Sequence, residues 1–167
     1  TPANVIDMIL DLSQTPGVLI ASYGDLLRVP GSRQGDNVLS RRALGGNVES
    51  VYSPMDAIRI AREHPELEVV FLGVGFETTA PGTGACIMEA SRLGLENFSV
   101  LCLLKKTEPA LRSLIGAEDF SVNGFLCPGH VAAVIGSDAF SFLAEDYGLP
   151  GVVAGFEPAD LLCSVLS

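Results

Sequence analysis

The sequence predicts an α/β protein, a three-layer α/β/α sandwich built on a mostly parallel sheet of about six strands. Three observations carry this expectation. Short runs rich in Val, Ile, Leu and Phe recur along the 167 residues. Each is followed by a segment of helical periodicity, the alternation that crossover helices between parallel strands produce. The runs show no alternation of apolar with polar residues, which marks strands covered on both faces. An apolar content of 48% supports a sizeable core in one domain over residues 1–167.

The elements follow in order. A first helix is read with Thr1 as its cap and Pro2 as its first residue, with Val5, Ile6, Ile9 and Leu10 on one face. Strand runs cover Gly17 to Ser22, Val48 to Tyr52, Val69 to Val74, Phe98 to Leu104, Gly124 to Cys127 and Val152 to Gly155. The stretch from Leu26 to Gly35 is the one long connection, and it carries two of the ten positive charges. Ser53-Pro54 starts a second helix, with Ala57, Ile58 and Ala61 facing inward, and His64-Pro65 stops it. Further helices are read from Thr83 to Leu93, Glu108 to Ile115, His130 to Ile135, Ala139 to Tyr147 and Pro158 onward.

Charge and cysteine usage narrow the function classes. Twenty acidic against ten basic side chains leave a formal charge of -10, a field that repels phosphate backbones, so nucleic acid is not an expected partner. No stretch reaches the ~18 apolar residues of a membrane span and no cleavable leader is evident, so a cytoplasmic location is expected. Cys86, Cys102, Cys127 and Cys163 are widely spaced without a Cys-x-x-Cys pair, and Cys86, Cys102 and Cys163 read as core residues. The final apolar run from Asp160 to Ser167 reads as an unfinished helix. The chain is therefore expected to be a piece of a larger protein, with residues 150–167 packing against a neighbouring domain.

In an open parallel sheet, ligands bind beyond the carboxyl ends of the strands. That rule picks out Tyr23-Gly24-Asp25, Ser53 to Asp56, Gly75-Phe76-Glu77-Thr78-Thr79, Lys105-Lys106-Thr107, Pro128-Gly129-His130 and Gly155-Phe156-Glu157-Pro158. The Gly73 to Gly82 segment reads either as a ligand cradle or as a plain helix cap, since Glu77, Thr78 or Thr79 can satisfy open N–H groups there. Gly73-x-Gly75-x-x-Thr78 matches a dinucleotide fingerprint only in part, because the third small residue is missing and Leu104-Lys105 stands where an acidic residue is needed. Pro128-Gly129-His130 sets an imidazole at a helix start, where it can act as base, donor or ligand, or simply cap its own helix. Cys127 and His130 form a Cys-x-x-His half-site without a second pair, so no metal is expected within the chain. No Gly-x-Ser-x-Gly elbow supports a serine hydrolase.

Five motifs resemble, in order and approximate spacing, those of the HypD family of hydrogenase maturation factors. They are Tyr23 to Gly31, Tyr52-Ser-Pro-Met-Asp-Ala57, Gly75-Phe-Glu-Thr-Thr-Ala-Pro81, Pro128-Gly-His-Val131 and Gly155-Phe-Glu-Pro158. The resemblance implies a scaffold for the iron centre of nickel-iron hydrogenases, iron carrying two cyanides and one carbon monoxide, with HypC-type and HypE-type proteins as partners. It also implies a Cys-Gly-Gly-His and a Cys-Pro-x-Cys motif upstream and a 4Fe-4S cluster bound downstream, none of them in this chain. No cofactor is expected within the chain, and it is expected to be inactive alone. Lys105-Lys106 departs from the His-Lys pair of many members, and no family role falls on Cys127.

On this reading Glu77, Thr78, Thr79 and His130, with Asp25 nearby, form one wall of a cleft. Gly75, Phe76, Pro128, Gly129 and Glu157 are expected to contact the ligand. Thr78, Thr79 and His130 are the better donors to cyanide nitrogens, and Glu77 the better orienter or acid. Two other classes compete: an interaction module for maturation partners, and an independent small-molecule enzyme.

Overall fold

The structure, a computed structural model, describes residues 1–33 and 35–166. Six strands form among the described residues: β1 (Val18–Tyr23), β2 (Val48–Val51), β3 (Glu68–Gly75), β4 (Phe98–Leu104), β5 (Phe125–Pro128) and β6 (Gly151–Ala154). Eight α-helices accompany them among the described residues: α1 (Ala3–Leu12), α2 (Val38–Ala43), α3 (Pro54–Glu63), α4 (Ala80–Leu93), α5 (Thr107–Ile115), α6 (Gly129–Ile135), α7 (Phe142–Tyr147) and α8 (Pro158–Leu166). The chain is α/β and its strand pairing mostly parallel. The expectation of about six strands in one sheet is corrected, because they divide into a four-stranded sheet ordered β2-β1-β3-β4 and a two-stranded sheet ordered β5-β6. The chain correspondingly resolves into two compact units, residues 1–74 with 79–104, and residues 75–78 with 105–167.

In the first unit β1 runs parallel to both β2 and β3, with Ile20 opposite Val48 and Val70. Side-chain alternation along β1 and β3 feeds two separate clusters. Ile20, Val70 and Leu72 pack with Ile6, Ile9 and Leu10 of α1, whereas Leu19, Ala21, Val69 and Phe71 pack with Ala57, Ile60 and Ala61 of α3. Two-faced burial therefore holds for the central strands. It fails for β2 and β4, whose residues are partly exposed, since an edge strand has a neighbour on one side only.

The second unit is built on the parallel pair β5 and β6, with Pro128 opposite Ala154. Cys127 and Phe125 of β5 pack with Val131 of α6, Phe142 and Leu143 of α7, and Leu111 and Ile115 of α5. α8 has no buried residue, and Leu162, Val165 and Leu166 are exposed on it.

Local chemistry explains where helices begin. At α3 the Ser53 hydroxyl accepts from the Met55 N–H while Asp56 accepts from the Ser53 N–H, a reciprocal cap reinforced by Pro54 in the first turn. α1 starts one residue later than expected, with Pro2 at the cap position and its carbonyl accepting from Val5 and Ile6. α4 starts at Ala80, before the expected Thr83, because Pro81 fits a first turn. The helix expected over Ala139 to Tyr147 is divided into a 3-10 turn at Ser137–Phe140 and α7.

The region after β1 holds a 3-10 turn at Leu26–Arg28, a bridge from Pro30 to Asn37, and α2, which periodicity over six residues is too short to reveal. Gln34, inside the expected long connection, and Ser167, beyond α8, lie outside the described residues. Cys86 is buried as expected, but Cys102 and Cys163 are exposed, because β4 is an edge strand and α8 buries no residue; Cys127 is buried instead.

Candidate functional site

The strand-end residues fall into two groups. Asp25 and Thr79 belong to the first unit; Gly75, Phe76, Glu77, Thr78, Pro128, Gly129, His130 and Glu157 belong to the second. Asp25 is exposed at the end of β1, and its carboxylate accepts from the Leu26 N–H at 2.8 Å, capping the 3-10 turn. Thr79 holds the cap position of α4 without a side-chain cap bond; its carbonyl accepts from the N–H and the hydroxyl of Thr83. Neither Glu77, Thr78 nor Thr79 thus caps α4 through its side chain.

Glu77 caps a different helix. One carboxylate oxygen accepts from the Thr107 N–H at 2.6 Å and the other from the Thr107 hydroxyl at 2.7 Å. Thr107 is the first residue of α5, so a carboxylate from the end of β3 sits at the open N-terminal amides of the helix after β4, where the helix dipole favours negative charge. Partial burial alone would raise the Glu77 carboxyl. The two Thr107 hydrogen bonds, with Lys106 nearby, outweigh burial and hold it below the ordinary value of 4.5. The turn leading to Glu77 requires glycine: Gly75 has φ 137°, which a side chain would strain. Gly75 also accepts from the Lys105 N–H at 2.9 Å, so the ends of β3 and β4 are tied twice.

A helix N-terminus is an anion seat, and here the protein fills it with its own carboxylate.

The second pairing is at the ends of β5 and β6. Two residues beyond the Pro128 and Ala154 pair, the His130 imidazole lies against the Phe156 ring, with centroids 4.9 Å apart. Gly129 permits this arrangement, since a Cβ there would come within 2.8 Å of the Ala154 carbonyl oxygen. His130 is exposed and, among the described residues, its ring makes this aromatic contact and no hydrogen bond. Thr78, Phe76 and Glu157 are exposed as well. Sequence reasoning assigned no role to Thr107 or Phe156. Both stood in strand-end motifs, but only the fold pairs them with Glu77 and His130.

Cys127 is buried in the β5 core cluster, and that burial pushes its thiol up, whereas His130 faces solvent. Burial likewise pushes Cys86 up to about 11. Among the described residues no three His, Cys, Asp or Glu side chains gather as a metal site. The residues present do not fit a 4Fe-4S cluster, which needs four converging thiolates.

Mostly parallel strands with polar side chains beyond their carboxyl ends define an α/β protein, and no described helix is long and apolar enough to cross a membrane. The family described as HypD, "Hydrogenase formation hypA family", matches residues 1–167. The chain is 46% identical over 165 residues to the hydrogenase maturation factor HypD of Rhodobacter capsulatus, covering 99% of this chain and 43% of that protein. It is 45% identical to the HypD of Escherichia coli K12 and 44% identical to the HypD2 of Bradyrhizobium diazoefficiens, covering 99% of this chain and 44% and 45% of those proteins. The chain belongs to the HypD family of hydrogenase maturation factors. It spans less than half the length of these relatives.

Proposed function

We propose that the whole protein is a cytoplasmic assembly scaffold for the iron centre of nickel-iron hydrogenases, working with HypC-type and HypE-type proteins. In this reading the iron with its cyanides and carbon monoxide is cargo. The present chain supplies a hydrogen-bonding wall of the cleft that holds it, and thiolates come from elsewhere in the protein. The observation that carries the reading is His130: an exposed imidazole beyond a strand end, steadied by Phe156, with no protein hydrogen bond on its ring among the described residues. A cyanide nitrogen on iron is a hydrogen-bond acceptor, so it calls for N–H and O–H donors and not for bare carboxylates. His130 and the exposed Thr78 hydroxyl meet that requirement, and the Glu77 carboxylate is turned to Thr107.

The test uses the full-length protein. His130→Ala should lower cyanide-ligated iron, read from its infrared bands, by roughly 100-fold if the imidazole relays protons to the cargo, while binding of the HypC-type partner stays intact. Unchanged iron loading would sink the reading. A second reading, a docking module for maturation proteins, is favoured by the groove of about 360 Å³ lined by Phe125, Leu126, Pro150, Val152 and Val165. Loss of partner binding in Leu126→Glu with iron chemistry otherwise normal would support it.

A further inference from the structure

We propose that Glu77 is a positioning residue and not an acid: seated on the first turn of α5 through Thr107, its carboxylate holds the Gly75–Thr78 turn in place and so presents the Thr78 hydroxyl. The inference rests on the hydrogen-bonding wall proposed above and assigns one of its acidic groups a different role.

The geometry is specific. Both Glu77 oxygens are engaged by one residue, the N–H at 2.6 Å and the hydroxyl at 2.7 Å, and these short distances are those of charge-assisted bonds. Thirty residues of chain separate the partners, so the contact fixes a tertiary relation and not a local turn. The Lys105 N–H donates to the Gly75 carbonyl two residues before Glu77, so the turn is held at Gly75 and again at Glu77, and the exposed Thr78 hydroxyl follows directly on the second of these points. A group that must give or take a proton from cargo needs a free oxygen facing that cargo. Glu77 has neither oxygen free of Thr107. The charges that bear on it are the Lys106 ammonium, which adjoins it in the loop before α5, and the dipole of α5 itself; both favour a permanent carboxylate.

The two roles predict opposite results for the isosteric amide. In Glu77→Gln the amide oxygen still accepts from the Thr107 N–H and the amide N–H donates to the Thr107 hydroxyl, so a positioning role survives, whereas an acid is lost. In the full-length protein Glu77→Ala should lower cyanide-ligated iron by about 10-fold, the scale of coupling between residues in one network. Glu77→Gln should stay within about threefold of the parent, the loss of one charge at a helix start. Thr107→Val should fall between them, and the Glu77→Ala/Thr107→Val double variant should be no worse than Glu77→Ala.

Hydrogen exchange at the Thr107 amide gives a readout independent of iron, and Glu77→Ala should accelerate it. Glu77→Gln as defective as Glu77→Ala overturns the proposal, as does unchanged exchange at Thr107. Iron loading lost in His130→Ala but retained in Glu77→Ala also overturns it while leaving the proposed function standing. Loading indifferent to His130→Ala would remove that function instead, with the exchange rate still reporting whether the carboxylate holds the turn.

Discussion

The imidazole of His130 lies against the ring of Phe156 at 4.9 Å between centroids, with the planes inclined at 35°. The contact joins two exposed residues beyond adjacent parallel strands, so it orders a surface imidazole without making it part of the core. His130→Ala should therefore cost the fold only the aromatic contact, ~0.5–1.5 kcal/mol. Thermal melts check this. A larger loss, with any maturation defect tracking it, would return His130 to a structural role.

Phe71 should show the reverse. Its side chain is fully buried, and Tyr23 meets it edge-on at 5.6 Å. Emptying such a site typically costs ~3–5 kcal/mol, a large share of a domain's ~5–15 kcal/mol. Phe71→Ala should lower the melting temperature sharply and reduce activity only through unfolding, as denaturant titration beside maturation assays would reveal.

Asn97 is a clamp whose loss is measurable. Its Nδ2 donates toward the carbonyls of Ala61, Leu67 and His64 at 2.9, 3.0 and 3.1 Å, closing the C-terminal end of α3 onto the chain before β4. Asn97→Ala leaves those carbonyls without this donor and should cost ~1–3 kcal/mol. Asn97→Asp should be worse than Ala, since it turns a carboxylate toward three carbonyl oxygens. Denaturant midpoints of the two variants give the order.

Glu77 makes stability depend on acid. Its folded pKa lies below the unfolded value near 4.5, so its contribution is fully present above that value and is lost as pH falls through the lower folded pKa. Melts between pH 6 and pH 3, set as about the range of a carboxylate transition, should show a decline that flattens in Thr107→Val. An identical decline in that variant would detach the effect from this pair.

Thiol labelling should separate the cysteines. Cys102 is exposed, whereas Cys86 and Cys127 are buried and their thiols pushed up by that burial. Since the thiolate is the reactive form, a thiol reagent at mild alkaline pH should modify Cys102 of the native chain first and reach Cys86 and Cys127 only on unfolding. Peptide mapping by mass spectrometry reads this, and early labelling of Cys127 would contradict its place in the β5 core cluster.

Much of the fold was legible in local pattern. Runs rich in apolar residues marked all six strands within a residue or so, even β2 with Glu49 and Ser50 inside it, and Ser53-Pro54 marked the start of α3, because capping and burial act over a few neighbouring residues. α2 escaped notice because six residues carry too little periodicity, although Asn37 and Ser40 form a reciprocal cap that could have signalled it. Cys102 was misjudged since an apolar run looks the same on an edge strand as in the middle of a sheet.

For the site, the sequence by itself determined which residues stand at strand ends, and its five ordered motifs already pointed to the HypD family. Strand pairing and side-chain direction were decided only in three dimensions. Division of six strands into sheets of four and two depends on which backbone edges meet, and no single run encodes its neighbour. Glu77 meets Thr107 and His130 meets Phe156 across long stretches of chain. A carboxylate beside a glycine turn reads alike whether it faces a ligand, its own helix or another; tertiary packing aims it at the amide and hydroxyl that begin α5, where the helix dipole and two hydrogen bonds hold it.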